Sequence, residues 1–264
     1  MGIADAVKSS HKDATLVLNG VKGQTLTTSG DSLKISENNR AFFLKDASEK
    51  VELAYKHNYL GGSISFDVDI ADVGCGCTAG VYLAAIDEKF NFKDLDDGVT
   101  PTCSSIDLME ADIWGLKTQT SACKNGVCSD ANMCWTKTSG AKMGPGPSYS
   151  INTSAPFNVK VAFWSDADAN GKATNLKKVV TSITQGSALY TLTQECTGLK
   201  ALEEEMQKNN FALGVSTTTH VDGSCLTRRC TAASYKMSNI EFNMNDSLNA
   251  YEKPAVPDTL EKTG

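Results

Sequence analysis

Arginine, histidine and long apolar runs are all scarce in this 264-residue chain. No stretch is apolar for long enough to serve as a transmembrane helix. Arginine occurs only at positions 40, 228 and 229, no Lys/Arg stripe is present, and the formal net charge is −6. The sequence therefore argues against nucleic acid and membrane as partners. An anionic ligand is not excluded, because a cleft can be locally basic.

Cysteine, by contrast, is abundant, with nine residues. The pairs Cys75/Cys77 and Cys225/Cys230 do not form a two-knuckle CxxC pattern, and no histidine accompanies them at ligand spacing. We therefore expect no metal and no other cofactor. Disulfides in an oxidising compartment are the better interpretation, and Cys77 is expected to form one. This predicts a secreted protein, extracellular or in the cell wall, in which the odd count leaves one thiol unpaired or intermolecular.

Alternation of apolar and polar residues dominates the chain and predicts strands. They are expected at 63–70, 80–86, 105–114, 157–164, 177–186, 211–221 and 235–242. One short helix is predicted over 198–209, where Leu199, Leu202 and Met206 recur at spacings of three and four. Many strands, one helix and no internal repeat indicate an all-β antiparallel β-sandwich or jelly roll. We expect a single domain over 1–247 and a flexible C-terminal tail over 248–264.

The stretch CSSIDLMEAD at 103–112 resembles the signature C-S-E-x-D-x-x-E-A-N of glycoside hydrolase family 7, the cellobiohydrolases and endoglucanases. Further similarity lies in SFDVDIADVGCGCTAGVYLAAID (65–87), MGPGPSYSIN (143–152) and MSNIEF (237–242), so the resemblance covers about 24–242. Family 16 shares E-x-D-x-x-E but not the cysteine pattern. The resemblance implies a concanavalin-like jelly roll with a concave substrate cleft. We expect a monomer whose partner is a polysaccharide.

The cysteine register of that family implies three disulfides. Cys123 would bridge Cys128, Cys134 would bridge Cys196, and Cys75 would reach Cys225 or Cys230. Members of the family are usually longer, and the missing length corresponds to the loops that roof the substrate tunnel. An open cleft that favours cutting within the chain is therefore implied.

The resemblance also assigns roles on the 103–112 segment. Glu110 stands at the acid/base position, Asp107 at the assisting position, and Ser105 where the family has its nucleophilic glutamate. A retaining glycosidase needs two carboxyl groups about 5–5.5 Å apart, and an unactivated serine hydroxyl is a poor nucleophile. The spacing shifts from two to three after Asp107, which predicts a β-bulge if all three side chains face the cleft.

Three functions follow, and the first is favoured. It is β-elimination of an acidic polysaccharide such as alginate (polymannuronate), a chemistry also found in brown-algal alginate lyases, which this chain resembles. Tyr82 and His220 would move protons with Asp107 and Glu110 in support. Ser105, Thr218 (where the family has a stacking tryptophan), Lys137 and Lys142 would bind substrate. The second is hydrolysis of a β-1,4-glucan, and the third is non-catalytic carbohydrate binding.

Tryptophan supplies the remaining candidates for sugar contacts. Trp114, Trp135 and Trp164 are possible stacking platforms, since an indole face packs well against a sugar ring. At least two of the three are expected to lie in the core instead.

Overall fold

The computed structural model describes residues 4–8, 15–20, 26–29, 32–36, 40–44, 56–74, 76–85, 103–124, 127–140, 142–218 and 233–243. In chain order the elements are β1 (Ala4–Lys8), β2 (Thr15–Gly20), β3 (Leu26–Ser29), β4 (Ser32–Ser36), β5 (Arg40–Leu44), β6 (Lys56–His57), β7 (Ser63–Asp69), β8 (Thr78–Ala84), β9 (Ser105–Asp112), β10 (Gly115–Lys124), β11 (Val127–Lys137), β12 (Met143–Gly144), β13 (Ile151–Asn152), β14 (Phe157–Ala167), β15 (Ala173–Gln185), β16 (Ala188–Gln194), α1 (Gly198–Lys208), β17 (Phe211–Thr218) and β18 (Ser234–Asn243).

Two large antiparallel sheets form the fold. The larger has nine strands in the order β1-β2-β5-β17-β8-β9-β10-β11, with β6 paired to β17. The smaller has seven, in the order β16-β15-β14-β7-β18-β4-β3, and β12 and β13 form a short parallel pair. The predicted all-β antiparallel sandwich with one short helix is confirmed. The predicted tail, 248–264, lies outside the described residues.

The core lies between the two sheets because alternate side chains of each strand point inward. On β8 these are Ala79, Val81 and Leu83, and on β7 they include Ile64 and Phe66; all are buried in one hydrophobic cluster. The opposite positions of the larger sheet point away from the smaller sheet, and we call that side the outer face. Burial of this cluster supplies the main driving force for folding, and it holds the larger sheet so that its outer face is available for other interactions.

A β-bulge interrupts β9, as the spacing of its polar residues predicts. Tyr82 pairs with Asp107 and Val81 pairs with Met109, so that Leu108 is the extra residue. Leu108 and Met109 are both buried. The bulge therefore absorbs one residue of β9 on the core side and returns Glu110 to the same face as Asp107.

Helix α1 packs with Leu199, Leu202 and Met206 buried, as its periodicity predicts. At its start, a Cβ on Gly198 would lie 2.8 Å from the backbone carbonyl carbon of Asn132 in β11, so this position has no room for a side chain. One turn later the Glu203 carboxylate accepts hydrogen bonds from the backbone N–H groups of Asn175 and Leu176. These contacts hold α1 against β11 and β15.

Two of the disulfides implied by the resemblance are present. Cys123 is bonded to Cys128, and Cys134 is bonded to Cys196. Cys77 is also disulfide-bonded, as expected. Cys75, Cys225 and Cys230, the cysteines of the third implied bridge, lie outside the described residues. Within the described part of the chain, no helix combines the length and apolar character needed to cross a membrane.

Candidate functional site on the outer face

The register of the larger sheet lines up the residues at outward positions in rows that run across the strands. The Asp107 row contains, from β11 to β5, Trp135, Gln119, Asp107, Tyr82, Gly214 and Phe42. The Glu110 row, one step along the strands, contains Lys137, Lys117, Glu110, Gly80, Ser216 and Arg40. Ser105 lies one step in the other direction, beside Ser121 of β10 and Ala84 of β8.

Glu110 is held by an ion pair in its own row. The Nζ of Lys117 lies 3.2 Å from Oε2 of Glu110, and both side chains are about one-third exposed, at 34% and 38%. The two residues are direct cross-strand partners, so the contact follows from the register of β9 and β10. Glu110 is therefore an oriented carboxyl group that solvent and a ligand can both reach.

Asp107 lies directly opposite Tyr82 on the neighbouring strand. The Tyr82 ring extends over Gly214, where an added Cβ would lie 2.5 Å from Cζ of the ring. Phe42 meets the same ring edge to face, with 5.5 Å between the centroids. A glycine on β17 and an aromatic edge on β5 thus fix the plane of Tyr82, whose ring is turned toward β17 and whose hydroxyl oxygen is buried.

Two serines lie side by side at the Ser105 end of the site. Ser105 is half-buried, whereas its cross-strand neighbour Ser121 is only 1% exposed. The Ser121 hydroxyl has no hydrogen-bond partner among the described residues. Behind them, the Ser104 hydroxyl accepts a hydrogen bond from the backbone N–H of Cys123 and ties β9 to the Cys123–Cys128 bridge. No carboxylate occupies position 105, so Asp107 and Glu110 are the two acids on β9 between the serines and Asp112.

A buried tyrosine contacts the backbone of the site from the core side of the larger sheet. The hydroxyl of Tyr235 on β18 crosses the core and donates a hydrogen bond of 2.6 Å to the Gly80 carbonyl, next to Glu110 in its row. Burial raises the pKa of Tyr235 well above its ordinary range, and the charge of the nearby Tyr82 adds to this. The phenol therefore stays neutral and keeps donating under all ordinary conditions.

We expect Tyr235→Phe to lower the free energy of unfolding by about 1–2 kcal/mol at neutral pH, because the Gly80 carbonyl loses its donor. The raised pKa means that the folded state holds this proton more tightly than the unfolded state does. The stabilisation is complete below the unfolded pKa of about 10 and is lost as pH rises through the folded pKa. Urea denaturation of both proteins at increasing pH measures this. A difference between them that grows above about pH 10 would contradict the assignment, and Tyr190→Phe on β16 serves as the control.

The other predicted site residues are distributed unevenly. Thr218 is half-buried at the end of β17, opposite Thr78 on the outer face. Lys137 is exposed in the Glu110 row, whereas Lys142 is exposed in the turn between β11 and β12. His220 lies outside the described residues.

The expectation that at least two tryptophans lie in the core is wrong. Trp135 is 59% exposed and Trp114 is 45% exposed. Trp164 is half-buried under the Nζ of Lys178, which lies 4.4 Å from the ring centroid. Trp135 belongs to the Asp107 row, and Trp114 lies in the β9–β10 turn, where its backbone N–H donates a hydrogen bond to the Asp112 carboxylate. Indoles at these positions cannot turn inward, because strand parity and the tight turn direct them outward.

Sequence reasoning missed Lys117 and Gln119 as residues of this face, and it named Trp135 as a possible stacking platform without placing it on a strand. All three lie on β10 and β11, which hydropathy did not predict as strands. The inward positions of β10 include Thr118 and Thr120, which are both 1% exposed. Threonine favours strands but adds little to an apolar pattern, so propensity and not hydropathy was the available signal.

Among the described residues, no group of three or more His, Cys, Asp and Glu side chains is arranged to hold a metal ion. Asp107 and Glu110 are flanked by Tyr82 and Lys117 instead. What the arrangement offers chemically is proton transfer and charge stabilisation by side chains.

Comparison with solved structures identifies the fold. The chain is similar to the endocellulase EGI of Humicola insolens, with 17% identity over 84% of this chain and 78% of that one and a TM-score of 0.62. It is similar to a family 7 cellobiohydrolase of Daphnia pulex, with 12% identity, 92% and 96% coverage and a TM-score of 0.64. A cellobiohydrolase of Melanocarpus albomyces complexed with cellotetraose matches at 14% identity, 82% and 79% coverage and a TM-score of 0.57. No family model and no curated protein matches the chain. The protein thus has the jelly-roll fold of these cellulases.

Proposed function

We propose that the protein is a secreted enzyme that cleaves a β-linked, glucan-type polysaccharide within the chain, by hydrolysis, with Glu110 as the general acid. One observation carries the proposal: the bulge in β9 brings Asp107 and Glu110 onto adjoining rows of an exposed sheet face. The similar structures, an endocellulase and two cellobiohydrolases, support it. The disulfides support secretion, because such bonds persist in oxidising compartments.

In this mechanism Glu110 protonates the glycosidic oxygen while Asp107 activates a water molecule. On β8, the partners of the two acids are Tyr82 and Gly80, two residues apart. Same-face neighbours on a strand are about 6.5–7 Å apart. Inverting glycosidases hold their carboxyl groups about 6.5–9.5 Å apart to leave room for that water, against about 5–5.5 Å in retaining enzymes. The strand spacing refers to Cα atoms and not to the carboxyl groups, so the argument rests on position 105. Serine there leaves no carboxylate at the nucleophile position, and this favours the single-displacement route.

A second candidate is β-elimination of an acidic polysaccharide such as alginate. The observation that favours it is the direct pairing of Tyr82 with Asp107 beside a serine instead of a second glutamate. In this reaction a base removes the C5 proton, a C4–C5 double bond forms, the C4–O bond breaks, and an acid protonates the leaving oxygen. Tyrosine is able to serve in such proton transfers, but the Tyr82 hydroxyl is buried over Gly214 and would have to become accessible to take that role.

The product distinguishes the two reactions. The protein is incubated with a soluble β-1,4-glucan and with polymannuronate, and reducing ends and ultraviolet absorbance of an unsaturated sugar are both measured. Reducing ends without absorbance on the glucan are the expected result. Absorbance that rises together with reducing ends on polymannuronate would replace hydrolysis by elimination. Neither signal, together with retention of the protein by the polymers, would indicate a non-catalytic binder.

Replacement of Tyr82 by phenylalanine also distinguishes hydrolysis from elimination. Under hydrolysis we expect Tyr82→Phe to retain activity within about threefold, because Glu110 and Asp107 do the proton transfer and the ring still packs over Gly214. Under elimination the variant would lose about 10²–10⁴-fold. The measurement is turnover on the better substrate, with the melting temperature as a check on folding. Tyr190→Phe, on the smaller sheet, is the matched control.

A further inference from the structure

Two lysines face each other on the outer face at the β10–β11 end of the Glu110 row. Lys117 and Lys137 are direct cross-strand partners. Like charges in this arrangement destabilise a sheet, since the Cβ atoms of such pairs are only about 4.5–5.5 Å apart. Lys117 is compensated by Glu110. Lys137 is exposed and forms no ion pair with any described residue.

Glu110 is the one acid that lies against this pair among the described residues, and it contacts Lys117. Outward positions of β10 from Gly115 to Ser121, and of β11 from Met133 to Lys137, contain no aspartate or glutamate. The chain as a whole has a net charge of −6. The paired lysines are therefore a local positive area on an acidic protein, and it lies next to the proposed acid.

An exposed indole completes the arrangement. Trp135 precedes Lys137 by two residues on β11, so both side chains point to the outer face. Their Cα atoms are about 6.5–7 Å apart, which is the spacing of same-face neighbours. An aromatic face stacks on the apolar side of a sugar ring, while an ammonium group binds a charged substituent. The two together match one acidic sugar residue.

We infer that Trp135, Lys137 and Lys117 form a subsite for a carboxylate-bearing sugar, two strands from Glu110. The sugar ring stacks on Trp135, and its carboxylate lies between the two ammonium groups. Strands are about 4.8 Å apart, so β11, which carries Trp135 and Lys137, is about 10 Å from β9, which carries Glu110, and Lys117 lies between them on β10. The inference rests on the proposed function in one respect, that the outer face binds a polysaccharide. It adds the substrate class: a β-linked polymer that contains carboxylated sugars.

The test uses Lys137→Met, which keeps most of the side-chain length and removes the charge, and leaves the Lys117–Glu110 pair in place. Lys172→Met, an exposed lysine between β14 and β15 of the smaller sheet, is the matched control. KM and kcat are measured on a carboxylated polymer, polyglucuronate, and on an unsubstituted soluble β-glucan. We expect Lys137→Met to raise KM on the carboxylated polymer about tenfold or more, as loss of a charge-assisted contact does. The kcat, the glucan kinetics and the control variant stay unchanged.

High salt should raise the KM of the native protein for polyglucuronate in the same way, because salt screens the lysine charge. The KM of Lys137→Met should change little with salt. An unchanged KM in Lys137→Met, or an equal rise on both polymers, overturns the subsite. If Lys137→Met raises KM equally on a sulfated glucan, the restriction of the subsite to carboxylated sugars is overturned. If the native protein cleaves no polymer, the proposed function fails, and affinity electrophoresis then decides the subsite. The subsite is supported if polyglucuronate retards the native protein and not Lys137→Met. It is overturned if both proteins are retarded equally or if the native protein is not retarded.

Discussion

Glu110→Gln is expected to reduce polysaccharide cleavage by about 10²–10⁴-fold, the usual cost of removing a general acid or base. Glutamine keeps the size and hydrogen-bonding shape of the side chain but has no proton of suitable acidity to give to the glycosidic oxygen. The loss should appear in kcat, because substrate contacts elsewhere on the outer face remain. The melting temperature should change little, because the ion pair with Lys117 is partly exposed, and such pairs contribute at most about 1 kcal/mol.

The control for this variant is Glu241→Gln. Glu241 is an exposed carboxylate on β18, in the opposite sheet. It should retain full activity, which separates loss of one specific acid from loss of one negative charge. A Glu110→Gln protein that is folded and cleaves at the native rate would remove Glu110 from the reaction and with it the proposed mechanism.

The largest effect on stability is expected from the Cys134–Cys196 bridge. Its cysteines are 62 residues apart in sequence. Closing a loop of this length in the unfolded chain is worth about 4 kcal/mol in the chain-entropy model. The bridge also fastens β11 to the segment that leads into α1, and Cys134 is buried. We expect the double variant Cys134→Ala, Cys196→Ala to melt roughly 10 °C below the native protein.

The shorter bridge gives a matched comparison. Cys123 and Cys128 are 5 residues apart, and the same model assigns such a loop only about 2 kcal/mol. Urea denaturation of the two double variants without reductant compares the losses directly. Equal losses, or a larger one for the Cys123/Cys128 variant, would show that loop length does not set the stabilisation.

Much of the fold was accessible from the sequence because inward positions of several strands are strongly apolar. Ile64 and Phe66 of β7 and Val159 and Val161 of β14 are examples, and all four are buried. The bulge was also accessible, since only an extra residue returns Glu110 to the face of Asp107. The helix followed from Leu199, Leu202 and Met206. In each case the residues that support the prediction lie within one short segment of the chain.

The site was less accessible because its contacts join distant segments. Lys117 matters through its register with Glu110, and that register depends on where the bulge lies. Gly214 is significant only because the Tyr82 ring lies over it. The exposure of Trp135 depends on the parity of β11, a strand whose pattern is largely polar. The role of His220 in proton transfer stays a prediction.

The bulge in β9 depends on one extra residue, Leu108, that carries none of the chemical groups of the site. Removal of Leu108 would leave the alternating sequence Ser-Ile-Asp-Met-Glu-Ala-Asp, in which Asp107 and Glu110 still face outward and the apolar residues still face inward. Charge and polarity pattern would be retained, and Glu110 would keep Lys117 and Gly80 as its cross-strand partners. What would be lost is the bulge itself, with the local bend and added twist that it gives β9. A single codon therefore controls the bend and twist of this strand separately from its chemical groups, so a length change here alters the shape of the outer face without altering the residues that form it or their partners.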